Sequence, residues 1–186
     1  MTAVDSLWYL ADEASQQAEQ VHHRLSSRYD DFLAFSRTRS VSRSRFRTVA
    51  QRIESNGLPF GAHTLVYREN ADLVLVRHSE VGMWVLPGGE TDAGEDFRAA
   101  ARRELGEEAG IEAAYEGLGM LGKIRFTCGD YDTWGVLPIY RARAASAGLE
   151  VTDPDGEITE ARWFDELPEN TRDRSYLQRW RRKYIE

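Results

Sequence analysis

From Asp5 to Tyr29 the apolar residues Leu7, Ala11, Ala14, Ala18, Val21 and Leu25 recur at alternating intervals of four and three, the spacing of one face of an α-helix. The stripe is narrow and built largely from small side chains, so the helix is expected to pack closely on a partner helix, in the same chain or in a second subunit. Further along, the pattern becomes that of strands. Ala62 to Tyr67 and Leu73 to Val76 are apolar or β-branched runs separated by a polar turn around Glu69-Asn70, and they predict a hairpin. Leu118 to Thr127 and Trp134 to Ala142 predict a second hairpin about Gly129-Asp130. Ile158 to Phe164 predicts a short strand after the loop Asp153-Pro154-Asp155-Gly156-Glu157. A closing helix is expected from Arg172 to Ile185, with Tyr176, Leu177, Trp180 and Tyr184 on its apolar face and arginines near its negative end.

Between the two hairpins, Phe97 to Ala109 is rich in Ala, Arg, Glu and Leu and lacks proline, which predicts a helix. Glu104, Glu107 and Glu108 lie on it at helical neighbour spacings, so their side chains crowd one face. Like charges so placed destabilise a helix and raise one another's proton affinity, and a bound divalent cation reverses both effects. An all-oxygen donor set suits Mg²⁺ or Mn²⁺ rather than zinc. Arg103, one turn before Glu107, is placed to orient and partly neutralise the carboxylates, and Glu95 stands where the helix should start. Gly110 supplies the stop and Ile111 the apolar anchor behind it. Ahead of the helix, Trp84-Val85-Leu86-Pro87 reads as the end of a buried strand. Gly88-Gly89 reads as a turn that lets a ligand approach the backbone, and Gly94 as a second loop point. The plain alternative for a Glu-rich helix face is solvated surface, which explains neither the glycines nor the spacing.

The pattern Gly89, five residues, Glu95, seven residues, then Arg103-Glu104-Leu105-Gly106-Glu107-Glu108-Ala109-Gly110-Ile111 resembles the signature of the Nudix (MutT-like) hydrolase family, with every fixed position filled. It covers only Gly89 to Ile111, although the lead-in from Trp84 to Gly89 and the flanking strands also resemble that family. The resemblance implies an α/β fold, an α/β/α sandwich with a mixed β-sheet, carrying here an N-terminal helical extension. It implies metal-dependent hydrolysis of a pyrophosphate bond in a nucleoside diphosphate derivative, either ADP-ribose-like or a nucleoside triphosphate. The metal, Mg²⁺ or Mn²⁺, would be held by Glu104, Glu107 and Glu108 with a backbone carbonyl of Gly88 or Gly89. The implied catalytic set is Glu104, Glu107, Arg103 and a late-loop carboxylate, with Glu157 the first candidate and Glu160 the second. The proton of the attacking water goes to Glu104 or Glu157, and surface solvation is the alternative role for either late-loop acid. ADP-ribose-cleaving relatives often carry a proline shortly after the signature, whereas the first here is the distant Pro138, so the substrate stays open. Two other readings remain: a non-catalytic nucleotide-sugar sensor, against which the intact carboxylate set argues, and an RNA 5′-end pyrophosphohydrolase.

At 186 residues the chain has room for one domain with an appended element. Ser55-Asn56-Gly57-Leu58-Pro59 reads as a linker between a helical extension, residues 1–57, and a hydrolase domain, residues 58–186. The composition, 41% hydrophobic and 30% charged, is globular. No apolar run is long enough for a membrane span or signal peptide, and a cytoplasmic enzyme is expected. The single cysteine, Cys128, forbids an internal disulfide. His22 and His23 lack ligand-spaced partners and read as surface or packing residues.

A net charge of −7 argues against general affinity for nucleic acid or anionic membrane, which leaves a nucleotide-type small molecule as the expected partner. One stretch departs from that balance. Arg37, Arg39, Arg43, Arg45, Arg47 and Arg52 follow one another without an intervening acid. They read either as a phosphate- or RNA-binding arm or, preferably, as a helix or linker pairing with the acidic main domain. Phe126, Tyr131 and Trp134 are positioned either to stack on a base or, more ordinarily, to fill the core. The unpartnered N-terminal stripe leads to the expectation of a homodimer formed through residues 1–57.

Overall fold

The computed structural model describes residues 5–186; the first four residues of the expected extension lie outside the described residues. In chain order the elements are α1 (Ser6–Arg28), β1 (Leu33–Ser40), α2 (Arg43–Asn56), β2 (Ala62–Tyr67), β3 (Leu73–His78), β4 (Met83–Val85) and β5 (Gly88–Gly89). They continue with α3 (Phe97–Ala109), β6 (Ala113–Cys128), β7 (Tyr131–Ala144), β8 (Ile158–Phe164) and α4 (Arg174–Tyr184). The strands form one mixed sheet of eight in the order β1-β6-β7-β2-β3-β4, with β5 added to β2 and β8 to β3. The α/β class with a mixed sheet and an N-terminal helical element is therefore as expected. No helix among the described residues is long and apolar enough to cross a membrane.

The chain divides into two compact units, one running up to Phe60 and including Leu121–Leu137, the other comprising Gly61–Met120 and Pro138–Glu186. In the first unit the stripe Leu7, Ala11, Ala14, Ala18, Val21 and Leu25 is buried. The helix begins at Asp5, whose carboxylate caps the Leu7 N–H at 3.0 Å. The stripe meets α2, which buries Phe46, Val49, Ala50 and Ile53 in return. Small alanines let the two helices approach closely. Gly57 ends α2 at φ +87°, and a β-carbon there would sit 2.5 Å from Val21, so the junction admits only glycine. The helix that the stripe demanded is thus α2 of the same chain, and the stripe no longer argues for a second subunit.

The expected linker is likewise packed. Leu58 is 2% exposed, and the Gly57 carbonyl accepts the N–H of Val136 at 2.9 Å. The arginine-rich stretch is not a linker: Arg37 and Arg39 lie on β1, and Arg43, Arg45, Arg47 and Arg52 lie on α2, as the helix alternative expected. Arg37 and Arg39 lie over the Phe60 ring, and Arg43 lies over Tyr131 and 3.8 Å from Asp5. Phe126 is 1% exposed and meets Phe60 edge to face, while Tyr131 packs on Phe46 and Trp134 on His22. These three aromatics take the packing role.

In the second unit β2 is the hub. It runs parallel to β7, His63 opposite Ile139 through Tyr67 opposite Arg143, and antiparallel to β3 at Tyr67 and to β5 at Ala62 and His63. Helix α3 lays Leu105 and Ala109 on Val66, Val74, Val76, Val85, Ile111 and Ile158, a β-branched and leucine core closed to water. The closing helix α4 buries Leu177 and Trp180 completely. The terminal helix and both hairpins stand where periodicity put them.

Candidate active site

Helix α3 is fixed at both ends by its own sequence. The Asp96 carboxylate accepts the Ala99 N–H at 2.8 Å, so Asp96, not Glu95, is the N-cap. At the other end Gly110 takes the left-handed conformation at φ +64°. The buried face consists of Ala100, Ala101, Glu104, Leu105, Glu108 and Ala109. Thr64 on β2 adds a polar tie, its hydroxyl donating to the Ala101 carbonyl at 3.3 Å and sharing a 2.7 Å hydrogen bond with the Tyr115 hydroxyl. Because the apolar residues set the helix's rotation, Glu104 and Glu108 are turned inward, 8% and 6% exposed, while Glu107 stays at the rim.

Gly88 and Gly89 pass directly over those carboxylates. They form the short strand β5 on β2, not the turn expected from the sequence. A β-carbon on Gly88 would meet the His63 ring at 2.4 Å and the Ala62 carbonyl at 2.5 Å. One on Gly89 would stand 2.6 Å from the Glu104 carboxylate. The close approach these glycines permit is therefore to β2 and to α3. The Gly88 N–H donates to Glu108 Oε2 at 2.9 Å.

Arg103 gathers the surrounding acids. Its Nε and Nη2 donate to the two oxygens of Glu95 at 3.0 and 3.1 Å, and Nη2 also reaches the Glu90 carbonyl at 2.9 Å. Its Nη1 donates to Glu104 at 2.9 Å and to Glu107 at 3.4 Å. Hydrogen bonding to Arg103 holds the Glu95 carboxyl below its usual range and pushes the guanidinium still further up. Burial raises the proton affinity of Glu104, opposed by Arg103 and reinforced by Glu107 and Asp155. Glu108 is raised to about 9, first by burial, with the Gly88 N–H opposing and with Glu104, Asp153 and Glu157 adding repulsion.

The late acidic loop thus comes to the same place as the helix. It docks through Glu150 N–H to the Ala109 carbonyl at 2.8 Å and Thr152 N–H to the Glu107 carbonyl at 2.9 Å. Glu157 therefore stands near the signature carboxylates, whereas Glu160 is paired with Arg162 on β8. Asp153 and Asp155 are the residues that sequence reading passed over. The signal was present in Asp153-Pro154-Asp155-Gly156-Glu157, three acids in one turn, but nothing local says which of them faces the helix.

The donor chemistry fits a hard divalent cation: oxygen ligands only, two of them desolvated carboxylates whose negative charge is costly as they stand. Gly89 leaves the Glu104 carboxylate room that any β-carbon would occupy. Among the described residues no three acidic, His or Cys side chains are already converged as a cage, and Arg103 holds Glu104 and Glu107 in ion pairs.

The NUDIX domain family model matches residues 58–182, and the chain belongs to that family. A Bacillus subtilis protein provisionally named 8-oxo-dGTP diphosphatase is 44% identical over 54 residues, 29% of this chain and 36% of that protein. An m7GpppN-mRNA hydrolase of Xenopus laevis is 31% identical over 94 residues, 48% of this chain and 32% of that protein. The chain spans about a third of the length of these curated relatives. The crystal structure of a NUDIX-family hydrolase from Clostridium perfringens shares the fold with a TM-score of 0.50 at 18% identity, over 65% of this chain and 92% of that one.

Proposed function

We propose that this protein is a divalent-metal-dependent hydrolase that cleaves a pyrophosphate bond in a nucleoside diphosphate derivative, either ADP-ribose-like or a nucleoside triphosphate, in the cytoplasm. The observation that carries this reading is the pair Glu104 and Glu108, two buried carboxylates on one helix face beneath Gly88-Gly89. Bound Mg²⁺ or Mn²⁺ supplies positive charge for the phosphoryl oxygens and lowers the pKa of the attacking water. Glu104, Glu107 and Glu108, with a backbone carbonyl of Gly88 or Gly89, are the residues assigned to hold it. Glu108 then has to release the proton it keeps in the bare protein. Arg103 orients Glu104 through Nη1 and keeps Glu95 and Glu107 in register around it.

Glu157 is assigned the proton of the attacking water, since its carboxylate is half exposed and acts on Glu108 through space. Glu104 is the alternative base. Positioning and charge, rather than covalent chemistry, then carry catalysis. The names of the two relatives support a nucleotide substrate and differ over which one.

The test is purified protein with Mg²⁺ against 8-oxo-dGTP, dGTP, ADP-ribose and m7G-capped RNA, following release of nucleoside monophosphate, phosphate or pyrophosphate. Turnover of one of the three small nucleotides, abolished by EDTA and restored by Mg²⁺, is the expected result. Turnover of the RNA alone moves the assignment to RNA ends. No turnover with either Mg²⁺ or Mn²⁺ rejects the reading in favour of a non-catalytic sensor.

A further inference from the structure

Strands β3 and β8 pair antiparallel from Leu73 opposite Phe164 to Arg77 opposite Glu160, and there the register breaks, so that His78 faces Ile158 and Thr159 is left over. Such a bulge re-aims the side chains beyond it. Here it moves the end of β3 one residue along β8, toward the late acidic loop. The shifted register continues past the strand: the Ser79 N–H donates to the Glu157 carbonyl at 2.8 Å and the Ser79 hydroxyl to the same oxygen at 3.0 Å. His78 Nε2 then lies 3.4 Å from Glu157 Oε2. On the loop's other side the Asp153 carboxylate accepts the N–H groups of Asp155, Glu157 and Ile158 at 3.1, 2.8 and 2.9 Å. Gly156, at φ +68°, lets the loop close on itself.

The backbone of Glu157 is thus clamped from two directions, and its carboxylate is met by the His78 imidazole. We infer that His78 is a positioning residue, holding the Glu157 carboxylate in the orientation from which it takes the proton of the attacking water. The inference rests on the role assigned to Glu157 above. Stability alone does not account for the contact, because a polar contact to a half-exposed carboxylate contributes little to folding. Orientation does, because a reacting group displaced by about an ångström loses much of its rate advantage.

The experiment compares His78→Ala, His78→Gln, Glu157→Gln and the His78→Ala/Glu157→Gln double variant in the full chain. Hydrolysis with Mg²⁺ is measured on 8-oxo-dGTP, dGTP and ADP-ribose, and thermal midpoints complete the cycle. His78→Ala should lower kcat by ~10-fold with KM unchanged. His78→Gln, which keeps an N–H donor of similar reach, should recover most of it. His78→Ala should have no further effect once Glu157 is Gln. The inference is overturned by an equal loss in the Glu157→Gln background, by a change confined to KM, or by a Gln variant no better than Ala. Full activity in Glu157→Gln removes Glu157 as base and His78 with it, leaving metal-dependent hydrolysis standing. Loss in Glu157→Gln with normal His78→Ala rejects His78 alone. If no nucleotide turns over, the hydrolase reading fails and the inference falls with it.

Discussion

Gly89 lies so close to Glu104 that a β-carbon added to it would stand 2.6 Å from both Cδ and Oε1 of that carboxylate. The obstacle is the end of a flexible side chain rather than backbone, so Gly89→Ala should fold and displace Glu104. We expect a thermal midpoint within a few degrees of wild type, and a loss of kcat of ~10²-fold because the carboxylate proposed to hold the metal is displaced. Turnover at the wild-type rate would remove Glu104 from the site.

Glu108→Gln keeps an oxygen for the Gly88 N–H and deletes the carboxyl that would ionise on binding a metal. Activity should fall by ~10²-fold or more, the scale of several kcal/mol of lost transition-state stabilisation. The stability effect runs the other way. Glu108 holds its proton to about 9 in the folded protein, against 4.5 as its ordinary value. Its contribution to stability is therefore full below pH 4.5 and is lost as pH rises through 9. Metal-free wild type should lose thermal stability across that window and Glu108→Gln should lose less of it, as melting curves in EDTA will check. Mg²⁺ binding near neutral pH should release a proton, measurable by calorimetry in buffers of different ionisation enthalpy.

Two late carboxylates are candidate bases, Glu157 in the loop and Glu160 on β8. Glu157 acts on Glu108 through space and is held by His78, while Glu160 is paired with Arg162. Glu157→Gln should lower kcat by ~10²-fold, the ordinary worth of a general base, and Glu160→Gln should leave it near wild type. Steady-state kinetics on both variants decides between them; the reverse ranking would make Glu160 the base.

Removing residues 1–57 should not release a well-behaved catalytic fragment. Ile53 lies against Gly135 and Phe35 against Gly122, where a β-carbon would come within 2.8 and 2.6 Å of them. Those residues cover Leu121–Leu137, which belongs to the same unit as the N-terminal helices. A chain starting at Leu58 would strip Tyr131 of Phe46, Thr133 of Ala11 and Trp134 of His22 and should aggregate. Size-exclusion chromatography of the soluble fraction tests this, and a monomeric, active fragment would show the extension to be dispensable.

What the sequence determined by itself is what short-range geometry encodes. Helix α3 and its carboxylates were legible because capping residues, a stop glycine and the spacing of Glu104, Glu107 and Glu108 all lie within one segment, where a period of about 3.6 residues converts position into direction. The α1 stripe and the two hairpins were legible for the same reason. Tertiary structure decided everything that depends on what lies across from a segment. It supplied α2 as the surface for the stripe, and it laid Gly88 and Gly89 along β2 rather than in a turn. It also turned Glu108 into a buried acid that keeps its proton, since desolvation is a property of neighbours and not of spacing. It also set Glu157 against His78 and Glu160 against Arg162, across a register break between β3 and β8 that neither strand's own spacing encodes.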